Sequence, residues 1–229
     1  LREAEGLAER LSVAEVSVAG LLRPRQYAGL LRDAFDPFGA RGRARTALGE
    51  PEGEGVDPAL LGPLAAQESW AWYRTDSAFH AAYWIASWPR SDVGPMFLAP
   101  LLMQTEALRA VAVTIEPVPY PLAMRRAEAA QTAEIAEEIN RTRQGFVSTA
   151  RNRRRAQAAS RREEELADGH AEMRFAGFVR TSAPDLRALE AAESEIEHAA
   201  ALARLDLQRL YGEQEAGFRN TLALCGGLR

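Results

Sequence analysis

Residues 68–89, ESWAWYRTDSAFHAAYWIASWP, are rich in aromatic side chains and follow a period of two. This pattern is typical of β-strands, because aromatic residues pack well on a pleated, half-buried surface. The triplet Thr75-Asp76-Ser77 interrupts the pattern as a turn signal, and Pro89 ends it because proline cannot donate to a strand ladder. The stretch therefore predicts a hairpin of two strands.

The two faces of the second strand differ in what they offer. Phe79, Tyr83 and Ile85 share one face and should pack against helices as core. His80 and Trp84 lie on the other face, where the upstream helices, a partner subunit or solvent must meet them. We therefore take His80 and Trp84 as candidate interface residues rather than as the floor of an active site.

Strand and helix patterns follow in an order that predicts two β-α-β units. The first comprises strand 79–88, helix 92–104 and strand 109–117, and the second comprises strand 171–181, helix 184–202 and strand 204–211. Two such halves in succession predict an α+β fold of the ferredoxin-like class, an antiparallel β-α-β/β-α-β sheet with helices on one face. Ser182 stands where it could cap the helix of the second unit.

The composition divides the chain into two parts. Residues 1–63 are predicted to form extra N-terminal helices followed by a flexible connection, 38–63, which is rich in glycine and proline. Residues 64–229 form the predicted α+β domain, with a long helical insertion at 121–168 that projects as a hairpin or as one long arm. Gly169 is well placed to cap the C-terminal end of this arm.

The absence of lysine removes two kinds of chemistry. All 28 positively charged residues are arginine, so the chain offers no lysine for a phosphate-binding P-loop or for a Schiff base. The net charge of −4 gives no overall attraction to nucleic acid or anionic lipid. The single cysteine, Cys225, excludes an internal disulfide and fits a reducing compartment. No apolar run reaches the roughly 18–20 residues that span a bilayer.

Residues that could carry catalysis or bind a metal occur without the spacing that such sites need. They are the histidines, the cysteine and two runs of carboxylates: His80, His170, His198, Cys225, Glu137-Glu138 and Glu163-Glu164-Glu165. No metal-ligand spacing, nucleophile elbow or nucleotide-binding glycine motif accompanies them. We therefore predict no catalytic, cofactor-binding or metal-ligating residue and no enzyme activity. The alternative is an enzyme whose site is assembled by folding near the aromatic hairpin.

Residues 150–162, ARNRRRAQAASRR, are the strongest local charge feature. On a helix, five arginines fall within one broad sector: Arg151, Arg154, Arg155, Arg161 and Arg162. This sector could contact a protein partner, a DNA phosphate backbone or anionic lipid headgroups. It could equally be a solvated arm, because the acidic residues 163–165 follow directly and offer i to i+4 ion pairs.

Several short features of residues 68–224 occur in an order and spacing that match a known family. They are Trp88-Pro89 at the end of a strand, Glu116-Pro117 after the next strand, Arg162-Glu163 near a helix end, Gly169, Gln214 and Phe218. In these features the chain resembles the domain that precedes the motor in VirB/TraC/TrbE-type conjugative ATPases. In particular, it resembles an actinobacterial, membrane-associated relative that is encoded with conjugation or type IV secretion genes.

The resemblance implies a non-catalytic scaffold of a conjugative, type IV-like secretion or DNA-transfer system. Its implied partners are other secretion subunits or a separate motor ATPase, with a homo-oligomer and contact with DNA or anionic lipid as further expectations. Since the chain begins without methionine, we expect it to be a fragment of a longer protein. We expect this fragment to lie in the cytoplasm and to be held at the inner face of the plasma membrane by segments outside it. The alternatives are the cytoplasmic domain of a type VII secretion membrane-complex subunit and a nucleic-acid-binding module.

Overall fold

The computed structural model describes residues 2–13, 16–39, 55–89, 93–143, 160–161, 164–165 and 167–224. Its strands are β1 (Ala66–Glu68), β2 (Tyr73–Thr75), β3 (Ala78–Ser87), β4 (Leu108–Pro117), β5 (Met173–Ala183) and β6 (Asp206–Arg209). Its α-helices are α1 (Arg2–Val13), α2 (Pro24–Phe35), α3 (Ala99–Met103), α4 (Tyr120–Arg143), α5 (Leu186–Leu202) and α6 (Gln214–Asn220). A 3-10 turn spans Pro58–Leu60.

The strands form one antiparallel sheet, so the predicted α+β class is confirmed. The order in the sheet is β1-β2-β3-β5-β4, and β6 pairs with β3. β2 pairs with the beginning of β3, and β6 pairs with its end from Tyr83 to Ser87. β3 is therefore the strand on which most of the sheet is assembled.

The predicted hairpin is confirmed. β2 and β3 pair in antiparallel register, with Thr75 opposite Ala78 and a turn at Asp76-Ser77. Asp76 adopts a left-handed backbone with φ of +45°, a conformation that aspartate tolerates better than most residues. Its carboxylate also accepts the amides of Leu64 and Ala65 at 2.9 and 3.0 Å, which anchors the chain that leads into β1.

Helix boundaries differ from the predictions where proline and capping chemistry intervene. Within the described residues the helix expected at 92–104 is only α3, because Pro95 and Pro100 lack amide donors and Pro100 fits only in its first turn. The predicted cap of α5, Ser182, is wrong. Asp185 caps that helix by accepting the amide of Ala188 at 2.9 Å.

The arm predicted at 121–168 is helical at every described position up to residue 167. α4 covers its first half, and residues 160–161, 164–165 and 167 are helical in its second half. Gly169 follows with φ of +92°, and the amide of His170 donates to the carbonyl of Glu165 at 2.9 Å. This is the Schellman arrangement, so the predicted glycine cap is confirmed.

The chain falls into two compact units. One comprises Leu1–Ala110 and Val179–Ala223, and the other comprises Val111–Phe178 and Leu224–Arg229. In the second unit Val118, Ala123 and Ala127 form a small core with Met124, and the amide of Val118 donates to the carbonyl of Glu172 at 2.8 Å. This bond closes the base of the arm.

In the first unit, helices pack on both faces of β3. α5 packs on β3 and β6 and also contacts α3. On the opposite face, α2 and α6 contribute to an apolar cluster of Leu31, Tyr73, Phe218 and Leu222. Arg32 of α2 pairs with Asp76 (Nη1–Oδ2, 2.5 Å), so this helix is tied to the turn of the hairpin.

Candidate functional site

A network of buried polar groups connects the two strands of the hairpin, β2 and β3, to β5. His80 of β3 contacts Thr75 of β2 (Nε2–Oγ1, 2.7 Å) and Ser182 of β5 (Nδ1–Oγ, 2.8 Å). The Thr75 hydroxyl donates to the carbonyl of Phe35 at 2.6 Å, at the end of α2. Because a hydroxyl has one proton to donate, Thr75 must accept from Nε2–H of His80. Nδ1 then accepts the proton of Ser182.

This network is sealed and uncharged. His80 and Thr75 are both 0% exposed and Ser182 is 4% exposed. Burial, assisted by the positive charge of Arg180, lowers the pKa of His80 to about 2, so the imidazole is neutral at pH 7. A serine beside a histidine is the start of a nucleophile–base pair. Here both ring nitrogens are engaged and the hydroxyl donates to Nδ1, so the arrangement links β2, β3 and β5.

Phe218 and Arg180 complete the buried face. The centre of the Phe218 ring lies 4.7 Å from the ring centre of His80, 5.1 Å from that of Phe35 and 5.3 Å from that of Tyr73. The guanidinium carbon of Arg180 stands 4.4 Å from the centre of the same ring, within cation–π range. Burial lowers the pKa of Arg180 to about 10, which leaves it charged at neutral pH.

The structure answers which groups cover the second face of β3. His80 is inside the core, where the ring of Phe218 from α6 packs against it and Thr75 links it to the end of α2, and this corrects its placement as an interface residue. Trp84 is 39% exposed, and its role as an interface residue stays a prediction. On the other face Tyr83 and Ile85 are each 1% exposed, and the Tyr83 hydroxyl donates to Glu197 of α5 at 3.2 Å. Their predicted place in the core is confirmed.

Gln214 at the start of α6 fills the gap between β2 and β6 along β3. Its Oε1 accepts the amide of Ala82 at 2.8 Å, and its Nε2 donates to the carbonyls of Leu210 at 2.8 Å and Ala82 at 3.4 Å. Ala82 lies between the residues of β3 that pair with β2 and those that pair with β6. The buried amide thus serves as the missing strand partner and joins α6 to the sheet.

Replacing Gln214 with leucine should lower the free energy of unfolding by about 2–4 kcal/mol. The leucine leaves the amide of Ala82 buried without an acceptor, which costs about 1–3 kcal/mol. It also removes one of the two donors to the carbonyl of Leu210, a hydrogen bond worth about 1 kcal/mol. Urea unfolding followed by circular dichroism measures the change. Gln208→Leu is the matched control, because Gln208 is exposed on β6 and should change stability by less than about 0.5 kcal/mol. Equal losses in the two variants would contradict the role of Gln214.

A second polar cluster lies where α5 meets β6. Arg209 donates from both terminal nitrogens to the carboxylate of Glu193 and from Nε to the carbonyl of Ala71 at 3.1 Å. Burial raises the pKa of Glu193 although the arginine opposes this shift. The pair fixes β6 to α5 and to the loop before β2.

The predicted arginine stripe is described at one position. The side chain of Arg161 is 80% exposed and pairs with Glu165 one turn later (Nε–Oε1, 2.8 Å). Arg151, Arg154, Arg155 and Arg162 lie outside the described residues, as does Cys225. At Arg161 the geometry is therefore that of a solvated i to i+4 ion pair.

The other candidate groups are dispersed. His170 and His198 are both exposed. Within the described part of the chain, no three His, Cys, Asp or Glu side chains come together in a way that could hold a metal ion. None of the described helices is both long enough and apolar enough to cross a bilayer. No protein-family model and no curated protein matches the sequence.

Sequence reasoning identified His80 but not the residues that surround it. Arg180 and Ser182 occupy alternate positions of β5 and therefore one strand face, which is the one available signal. Gln214 and Phe218 appeared in the sequence only as features of a resemblance. Both are 0% exposed, and both contact the same side of β3.

Proposed function

We propose that this chain is a non-catalytic assembly domain of a bacterial conjugative, type IV-like secretion or DNA-transfer system, acting at the cytoplasmic face of the membrane. The observation that carries the proposal is the position of Gln214 and Phe218. These two residues belong to the features that resemble the pre-motor domain of VirB/TraC/TrbE-type ATPases, and each secures α6 to β3. Residues that stabilise a fold are expected to recur in other proteins that share the fold.

The strand order supports the finer, ferredoxin-like assignment. β6-β3-β5-β4 is the order that two interleaved β-α-β halves give, with α3 between β3 and β4 and α5 between β5 and β6. α3 and α5 also contact each other, as helices on one sheet face would. β1 and β2 would be additions to this arrangement, and the arm that contains α4 would be an insertion between the halves.

The burial and hydrogen bonding of the potentially reactive side chains support a scaffold rather than an enzyme. His80 and Ser182 are buried and hydrogen-bonded to each other, His80 is also hydrogen-bonded to Thr75, and Tyr83 is buried against α5. Burial, together with the charges of Glu193 and Glu197, raises the pKa of Tyr83 far above its ordinary value, so its hydroxyl stays protonated. These groups stabilise the sheet and offer no reactive surface.

Exposed apolar residues supply a candidate contact surface. Val113 and Ile115 share one face of β4 and are 43% and 58% exposed, while Met173 and Phe175 share one face of β5 and are 58% and 54% exposed. Patches of exposed apolar residues often mark protein–protein interaction sites. An assembly domain would use such a surface for a neighbouring subunit.

Replacing Ile115 with aspartate should reduce co-purification of secretion-channel subunits or the motor ATPase by about tenfold. A charge placed in an apolar contact weakens binding by roughly 1–2 kcal/mol or more. The measurement is affinity purification of the tagged, full-length protein from its own bacterium, followed by quantitative mass spectrometry. Ile139→Asp is the matched control, because Ile139 is 47% exposed on α4, away from β4 in sequence.

Other results of this purification, or of a separate DNA-binding assay, would contradict the proposal. Recovery of a type VII membrane complex would favour the alternative secretion system. A wild-type protein that recovers no secretion subunit, or two variants that lose them equally, would remove the support for a contact at Ile115. A salt-sensitive DNA gel shift abolished by replacing Arg151, Arg154 and Arg155 with glutamate would favour nucleic-acid binding.

A further inference from the structure

Arg180 is a buried cation without a counter-charge in the described part of the chain. It is 7% exposed, and within the described residues its Nε and Nη1 have no hydrogen-bond acceptor. Among the described residues, its one partner is the Phe218 ring, 4.4 Å from the guanidinium carbon. A ring face attracts a cation but accepts no conventional N–H···O hydrogen bond, so the two donors are left unused.

Among the described residues, no group next to Arg180 supplies the missing acceptor. His80 is neutral, and its Nδ1 is occupied by the hydroxyl proton of Ser182. The pKa of Arg180 is lowered by burial, with no carboxylate opposing the shift. A buried guanidinium in this situation is strongly destabilising unless an anion compensates it.

Other arginines of the same unit show what a compensated guanidinium looks like in this chain. Arg32 pairs with Asp76 and donates to the carbonyl of Gly62 at 3.0 Å. Arg209 makes two hydrogen bonds to Glu193, and its Nε donates to the carbonyl of Ala71. Arg32 and Arg209 are half-buried, whereas Arg180 is buried. The most buried of the three is therefore the one that lacks a carboxylate.

We propose that Arg180 is the binding residue of a site for a small oxyanion, a phosphate or a carboxylate, beside the Phe218 ring. Either group supplies a negative charge and several acceptor lone pairs to N–H donors that otherwise have none. This site is independent of the assembly function proposed above and would couple the stability of the α6–sheet packing to the anion concentration.

Thermal unfolding of the purified full chain tests the site. The melting temperature is measured at pH 7 in sodium phosphate, sodium acetate and sodium chloride at equal ionic strength. At ten times the dissociation constant, the bound anion should raise the melting temperature of the wild type by about 3–6 °C over chloride. A rise in phosphate alone assigns a phosphate site, and a rise in acetate assigns a carboxylate site.

Variants decide whether the rise belongs to Arg180. Arg180→Met should abolish it, whereas Arg74→Met should keep it, because Arg74 is an exposed arginine that also stands over an aromatic ring, 5.1 Å from the centre of Phe79. Arg180→Lys retains the charge and serves where the methionine variant does not fold; it should reduce the rise, since a lysine offers no planar set of donors. Equal rises in the wild type and the Arg180 variants, or no rise in the wild type with either anion, would overturn the proposal.

Discussion

Replacing Phe218 with alanine should lower the free energy of unfolding by about 3–5 kcal/mol, the range found for fully buried aromatic residues. The Phe218 ring is 0% exposed and contacts the rings of Phe35, Tyr73 and His80 as well as the guanidinium of Arg180. Its removal leaves a cavity between α2, α6 and the sheet and takes the cation–π partner from a buried charge. Urea unfolding at pH 7.5, followed by circular dichroism, measures the loss.

The matched control is Phe175→Ala. Phe175 is 54% exposed, so the same substitution there should cost less than about 1 kcal/mol. Phe218→Leu should fall between the two, because it retains much of the apolar volume but not the ring. If Phe218→Ala were no more destabilising than Phe175→Ala, the cluster that joins α2 and α6 to β3 would not be the core of this unit.

The parts of the fold that could be predicted are those specified by local chemistry. The turn at Asp76-Ser77 and the glycine cap at Gly169 depend on backbone preferences that a few neighbouring residues reveal. Tyr83 and Ile85 were placed in the core by alternation alone. In each case the signal lies within a few residues of the feature that it predicts.

The surroundings of His80 could not be predicted because they come from distant parts of the chain. Alternation shows that His80 and Tyr83 face opposite sides, but not which helix covers each side. Ser182 is 102 residues away from His80, and Gln214 is 132 residues away from Ala82. Ser182 was also misassigned as a helix cap, since serine and aspartate share that preference and Asp185 follows three residues later.

His80 should make the stability of the protein depend on pH below about 6.5. In the unfolded chain a histidine has a pKa near 6.5, whereas burial and the charge of Arg180 hold the folded-state pKa at about 2. The unfolded state therefore binds the proton more tightly. The contribution of the neutral imidazole is complete above pH 6.5 and is lost as the pH falls toward 2. The expected loss approaches about 1.4 kcal/mol per pH unit below the unfolded-state pKa and amounts to about 2.3 kcal/mol between pH 6.5 and 4.5.

The comparison of wild type with His80→Gln isolates this contribution from those of the carboxylates. Glutamine retains an amide donor for Thr75 but does not titrate, so its free energy of unfolding should fall less steeply between pH 6.5 and 4.5, by about one proton per molecule. Urea unfolding at pH 7.5, 6.5, 5.5 and 4.5 gives the two slopes. His198→Gln replaces an exposed histidine and should retain the wild-type slope. If His80→Gln also retained it, the folded protein would accept a proton at His80 in this range, and the Thr75–His80–Ser182 network would have to open to solvent to admit it.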